Sequence, residues 1–290
     1  MDKILEVKNL TKYYGKALGV ENISFDLDRG EIFGFIGPNG AGKSTTIRSI
    51  LNLINKTSGE VLFKEKALEK NNVEIMSQIG YLPSEINLYE DLTVSKMLDF
   101  HQSIFSKDLT KRRDYLVQKL KIDESKKIEN LSLGNLKKLG IVLAFMHEPK
   151  LVILDEPTSG LDPLMQQEFH SLLLEEKQKG TTIFYSTHVL NDITKVCDRV
   201  GIIKSGKLLK TEPIESLIDK SLSYVTITSN EIEKIIKDLK IENYDLKGNS
   251  VTFRNTMETN NFIKTLSSYD ISKLYIEPAS IEDIFMHYYE

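Results

Sequence analysis

Residues 37–45 read GPNGAGKST, and this nonapeptide constrains the fold more than any other stretch of the chain. It satisfies the spacing G-x-x-x-x-G-K-[ST] through Gly37, Gly42, Lys43 and Ser44. The pattern carries chemistry only where an apolar strand enters it and a helix leaves it. Backbone N–H groups then turn inward, and the positive end of the helix faces the same point. Both neighbours are present: EIFGFIG is a short apolar strand, and STTIRSILNLI has its apolar residues at helical spacing. The run Gly37, Pro38, Asn39, Gly40, Ala41, Gly42, Lys43, Ser44 and Thr45 therefore reads as a phosphate cradle. In it, Lys43 reaches the β and γ phosphates of a nucleotide and the Ser44 hydroxyl binds Mg²⁺.

Two further segments complete such a site. LVILDEP, residues 151–157, is an apolar strand ending in Asp155, whose carboxylate can hold Mg²⁺ through water. Glu156 follows it, placed as general base or as the group that orients the attacking water. His188 comes directly after the apolar strand TTIFYST. It either contacts the γ-phosphate or the lytic water, and so distinguishes ATP from ADP, or it is a satisfied structural histidine. His101, His147, His170 and His287 share no ligand spacing, so no zinc-type site is expected.

The elements alternate around these motifs. ILEVKNLTKYYG and ENISFDLDRGE read as two strands turning at Gly15, an antiparallel sheet at the edge of the main domain. Residues 85–148 are mainly helical, with Thr93 and Ser132 as N-caps. After them LVILDE, PLMQQEFHSLLLEEKQKG, TTIFYST and VLNDITKVCDRV read strand, helix, strand, helix, the order of a largely parallel, helix-covered sheet. Beyond about residue 210 the order is β-α-β-β-α-β, that of a small ferredoxin-like unit, with IEDIFMHYYE as a final helix. Ile281, Phe285, Tyr288 and Tyr289 could form its apolar face, packed on the same chain or on a partner.

The bulk composition narrows the class further. With 38 basic and 42 acidic side chains the formal net charge is −4, which gives no broad attraction for nucleic acid. No run approaches the roughly 18 apolar residues of a membrane span, and the first residues lack a signal-peptide core. The chain is thus expected in the cytosol, with any membrane contact made through a partner. The lone Cys197 fits a reducing compartment, as a buried core residue or a functional thiol.

Taken together, GPNGAGKST, LSLGN, LVILDEP, SGLDP and STH resemble the nucleotide-binding subunits of ABC transporters, in order and spacing, over about residues 1–210. The resemblance implies an α/β P-loop NTPase of ABC type, with a parallel-sheet core, an antiparallel edge sheet and a helical subdomain. A small α+β C-terminal domain at 211–290 follows. It also implies two such domains meeting head to tail, each ATP lying between one phosphate loop and the signature of the other subunit. Ser132 and the backbone of Gly134 in LSLGN would then face the opposite γ-phosphate. Either Tyr14 or Tyr13 in TKYYGK would stack on adenine, and Asp162 in SGLDP would help hold the dimer interface. Two departures stand out. The signature is usually LSGGQ, whereas Leu133 and Asn135 stand here; and in GYLPSEINLYEDLTV Ser84 occupies the place of a glutamine that reaches Mg²⁺, with Glu85 or a water as substitute.

The resemblance implies an ATPase with ATP and Mg²⁺ as cofactors, a second ATP-binding subunit and a transmembrane permease as partners, and a peripheral place on the cytoplasmic face of the membrane. The bacterial exporter branch is the nearest in arrangement. A soluble ABC-type ATPase acting on ribosomes or DNA is the competing reading. It is disfavoured by the single phosphate loop and the lack of long heptad stretches. A GTPase lacks its N-K-x-D base-reading motif here, and a kinase would leave LSLGN and SGLDP unexplained.

Overall fold

The computed structural model describes residues 2–69, 72–219, 223–255, 257 and 259–278. It divides into two compact units, Met1–Ile214 and Glu215–Glu290.

In the first unit β1 (Lys3–Tyr14) and β2 (Ala17–Asp28) form the expected antiparallel pair. Their alternating burial turns one face inward, as half-covered strands require. The central strand β3 (Ile32–Ile36) is buried along its whole length and leads through the glycine loop into α1 (Lys43–Ile50). Next come β4 (Ser58–Phe63), β5 (Lys66–Ala67), the single turn α2 (Val73–Met76) and β6 (Ile79–Leu82). No strand is named from the sequence in this stretch. Among the described residues, β4 and β5 extend the edge sheet in the order β2-β1-β4-β5.

The helical subdomain carries α3 (Val94–Ser103), α4 (Thr110–Leu120) and α5 (Leu133–Phe145). Thr93 caps α3, accepting from the Lys96 N–H at 3.3 Å, and Ser132 caps α5, accepting from the Asn135 N–H at 3.4 Å. The chain returns to the core with β7 (Leu151–Asp155), α6 (Pro163–Gln178), β8 (Thr182–Thr187) and α7 (Leu190–Val196). The helix read from VLNDITKVCDRV is shorter than its pattern. It stops at Val196, and Arg199 already opens β9 (Arg199–Lys204), which turns at Ser205 and Gly206 into β10 (Lys207–Pro213). Both turn residues have positive φ, +49° and +77°, as a tight hairpin of this hand demands.

These strands form a six-stranded sheet in the order β10-β9-β3-β8-β7-β6. The pairs β9-β3, β3-β8, β8-β7 and β7-β6 are parallel, and β9-β10 is antiparallel. Residues Ile32–Ile36, Leu151–Asp155 and Thr182–Thr187 are buried throughout, because helices or the edge sheet cover both faces of the sheet. Phe25, Phe33 and Phe184 stack on one another and Phe35 packs tilted against Phe25 and Phe184, with ring centroids 5.2–6.0 Å apart.

α8 (Ile214–Asp219) spans the boundary between the units. The second unit comprises β11 (Ser223–Thr228), α9 (Ile232–Asp238), β12 (Tyr244–Lys247), β13 (Ser250–Asn255), α10 (Thr259–Leu266) and β14 (Lys273–Pro278). Its strands pair antiparallel in the order β12-β13-β11-β14. Val225, Ile227, Ile232, Ile235, Val251, Phe253, Phe262 and Leu266 form its own core. The helix read from residues 281–290 lies outside the described residues.

Candidate nucleotide site

Three adjacent strands end at one place. β3 runs into the phosphate loop, β8 ends at Thr187 just before His188, and β7 ends at Asp155 just before Glu156. Residues over a hundred positions apart converge there because a parallel sheet aligns all its carboxyl ends.

The loop is tightly seated. A Cβ on Gly37 would lie 2.3 Å from the Ile203 carbonyl oxygen, and Gly42 holds φ +108° where a Cβ would lie 2.6 Å from Val20 Cγ1. The Gly206 N–H donates to the Ala41 carbonyl at 2.9 Å and ties the loop to the β9–β10 turn. Asn39, Gly40, Gly42, Lys43, Ser44 and Thr45 line an open cleft of about 330 Å³ together with Tyr14, Leu18, Gly19 and Glu156. Pro38 is exposed beside them.

Lys43 is buried. Its Nζ donates to the Gly37 carbonyl at 2.7 Å and the Pro38 carbonyl at 3.3 Å, and lies 3.4 Å from Glu156 Oε1. Glu156 Oε2 lies 2.9 Å from His188 Nδ1 and accepts from Thr187 Oγ1 at 3.5 Å. The carboxylate thus spans a lysine and a histidine. Its backbone is strained, since φ is +49°, a left-handed value that costs a non-glycine residue about 1 kcal/mol or more. The Glu156 N–H donates to the Ser186 carbonyl at 3.0 Å.

Asp155 is fully buried, and burial pushes its carboxyl above the ordinary aspartate range, with Ser44 and Ser186 working against that push. The Ser186 hydroxyl donates to Oδ1 at 3.3 Å, while Oδ2 has no hydrogen-bond partner among the described residues. A buried, unpartnered carboxylate oxygen acting together with a serine hydroxyl is a hard-oxygen donor set of the kind Mg²⁺ takes. The residues therefore fit the cation.

Tyr13 and Tyr14 are separated by their contacts. The Tyr13 hydroxyl donates to Glu21 Oε1 at 2.9 Å, whereas Tyr14 is half-exposed on the cleft wall with Lys12 Nζ 4.9 Å from its ring centroid. Ser132, Gly134, Ser84, Glu85 and Asp162 do not line this cleft. Asp162 caps α6, accepting from the Met165 N–H at 3.0 Å. A Cβ on Gly134 would lie 2.8 Å from the Gly160 carbonyl oxygen, so the signature and the SGLDP turn touch within one chain. Leu133 is exposed and packs over Gly160.

Sequence reasoning missed two groups. Lys137 is buried in α5, and its Nζ donates to the carbonyls of Ser84 at 2.9 Å and Glu156 at 3.3 Å. Its signal was a lysine three and four residues before Gly140 and Ile141, on the face of α5 that packs inward. Asp192 is the second, accepting from Thr158 Oγ1 at 2.7 Å and Tyr185 Oη at 3.0 Å, with His170 Nε2 at 3.3 Å. Burial works to raise the Asp192 carboxyl, but these partners outweigh it and hold it below the aspartate range. No local pattern marks that network, whose members come from β8, α6, α7 and the turn after Glu156.

A family profile described as ABC transporter matches residues 20–159. The chain is 39% identical over 238 residues to an uncharacterised ABC transporter ATP-binding protein of Methanocaldococcus jannaschii, covering 80% of this chain and 85% of the relative. It is 32% identical over 300 residues to the bacitracin transport ATP-binding protein of Bacillus licheniformis, covering 99% of this chain and 97% of the relative. Among solved structures, an ATP-binding subunit of an ABC transporter superposes with a TM-score of 0.70 at 32% identity, over 74% of this chain and 92% of the other.

Proposed function

This chain belongs to the ATP-binding subunits of ABC transporters, ATPases that power transport through a separate membrane partner, and we propose that it drives an exporter as one of two such subunits closing around MgATP. The observation that carries the site assignment is the Glu156 carboxylate, suspended between the phosphate-loop Lys43 and His188. Lys43 there uses a carboxylate as counter-ion, and an incoming γ-phosphate would take over that role. Glu156 would then be free to orient water or accept its proton, with His188 against its other oxygen. Ser44 and Asp155 would hold Mg²⁺, whose charge offsets that of the phosphates.

Tyr14 is the assigned adenine platform, because Tyr13 is engaged with Glu21. Ser132 and Gly134 lie away from the cleft of their own chain, which suits a role toward the nucleotide of an opposite subunit. The N–H groups at the start of α5 offer the anion site such a role needs. Asp162 would sit at the same subunit junction, and Ser84 and Glu85 beside the membrane partner's contact. Among the described residues no helix is long and apolar enough to cross a membrane. In this reading the chain lies peripherally on the cytoplasmic face, held by a transmembrane permease. Export is supported by the bacitracin transport relative, which matches this chain over nearly the whole length of both. A soluble role on ribosomes or DNA is not favoured, and the second unit is assigned as an accessory domain.

The test is Glu156→Gln in the native cell. Nucleotide binding should persist while turnover falls by about 10²–10⁴-fold, the contribution of a positioned base. ATP-trapped, gently solubilised protein should bring down a multi-span membrane protein in fixed ratio. Unchanged turnover would remove Glu156 from its role, and recovery of ribosomes or DNA-bound proteins in place of a membrane protein would overturn the transport reading.

A further inference from the structure

Lys137 stands where α5 needs an apolar side chain. It is 2% exposed, on a helix face shared with Gly140, Ile141 and Ala144. Burying an ammonium is costly unless acceptors surround it, and a methionine of similar length would fill the space without that cost. Burial indeed lowers the pKa of this ammonium, with Asp155 and Glu156 acting in the opposite direction. What lysine adds over methionine is specific: hydrogen bonds to the carbonyls of Ser84 and Glu156, and a positive charge within reach of both strand-end carboxylates.

The Glu156 partner matters because that backbone is held in a left-handed conformation, φ +49°. Its N–H is fixed by Ser186 on β8. Its carbonyl accepts from the Ser159 N–H at 3.3 Å, inside its own turn, and from Lys137 at 3.3 Å. Of these three anchors only Lys137 comes from the helical subdomain. The same ammonium holds the Ser84 carbonyl, at the point where the chain leaves β6 for that subdomain. One side chain therefore joins the signature helix, the turn into the helical subdomain and the strained residue beside the phosphate loop.

We propose that Lys137 is a positioning residue for ATP hydrolysis: from the signature helix it holds the Glu156 backbone and the residue-84 turn in one register, so that the Glu156 carboxylate meets the attacking water correctly. This rests on the assignment of Glu156 to the hydrolytic step. Ser84 thereby takes part through its carbonyl, and the link between turn and catalytic strand does not need the long side chain that serine lacks.

The experiment uses the full-length chain with two non-donor variants, Lys137→Met and Lys137→Leu, and the amide donor Lys137→Gln. Steady-state ATPase rates, equilibrium binding of a fluorescent ATP analogue and thermal unfolding are measured on each. In Met and Leu variants kcat should fall by about 10–100-fold, the scale of a misplaced catalytic group, with nucleotide Kd within about twofold of the parent. The Gln variant should recover a substantial part of kcat at the same Kd. Parental kcat in a folded Met or Leu variant overturns the proposal, as does a loss of affinity that accounts for the loss of rate. A Gln variant no better than Met also overturns it. Failure of the Glu156 assignment would read differently: Glu156→Gln would then hydrolyse ATP at the parental rate whatever the Lys137 variants do.

Discussion

Single residues set how closely the layers of the first unit approach. At Gly80, in β6, an added Cβ would sit 2.0 Å from the carbonyl oxygen of Ala144 on α5. No rotamer relieves a clash with backbone, so strand and helix must part. Gly80→Ala should cost about 1–3 kcal/mol of stability, the range for overpacking a tight contact, read as a lowered midpoint in urea. The same scale separates what the sequence could and could not announce at the site. Gly37, Gly42, Lys43 and Ser44 were legible because their spacing within one loop is itself the chemistry. The positive φ of Glu156 and the burial of Lys137 were not, because each is imposed by partners distant in sequence, Ser186 and Ser84 among them.

Between elements, the helical subdomain is joined in part by aromatic rings. His101 on α3 lies 5.8 Å from His147, just after α5, and Phe105 stacks on His147 at 4.7 Å. His101 Nε2 and His147 Nδ1 have no hydrogen-bond partner among the described residues. Burial, reinforced by His147, pushes the His101 pKa down from 6.5 to about 4. Between those values the unfolded chain takes up a proton that the folded chain refuses, so stability is full above the unfolded value and falls as pH drops through this window. The loss should reach on the order of 2 kcal/mol after allowance for partial exposure. His101→Leu should flatten the melting temperature between pH 7 and pH 4.5, measured against the parent in matched buffers; an unchanged slope would assign the acid sensitivity elsewhere. Of the strands that sequence periodicity missed, β4, β6 and β9 are short and completed by non-local pairing with β1, β7 and β3, while β5 and β10 are added as local hairpin partners of β4 and β9. The helix reading that overran at VCDRV failed for a related reason: Arg199, Val200 and the residues after them pair with β3 and β10, and that tertiary pairing outweighs helical spacing.

For the whole molecule, the division after Ile214 leaves each unit with its own apolar cluster. A fragment of residues 1–214 should fold and bind ATP with an affinity close to that of the full chain, since the residues lining the cleft all lie within it. Two calorimetric transitions are expected for the intact chain, of which only the one belonging to the first unit shifts upward with MgATP. A fragment that fails to fold, or a single transition shifted as a whole, would show that the units stabilise one another. The amino-acid sequence by itself determined the phosphate loop, the strand ending in Asp155 and Glu156, the capped helices and the alternation of strands and helices. These are local patterns, carried by spacing and by residues whose backbone preferences act within a few positions. The tertiary structure alone decided that β3, β8 and β7 lie side by side, so that Lys43, Glu156 and His188 meet, and that Lys137 is drawn inward to the Glu156 carbonyl. Strand order and side-chain burial depend on which distant surfaces exclude water together, and no window of sequence contains that choice.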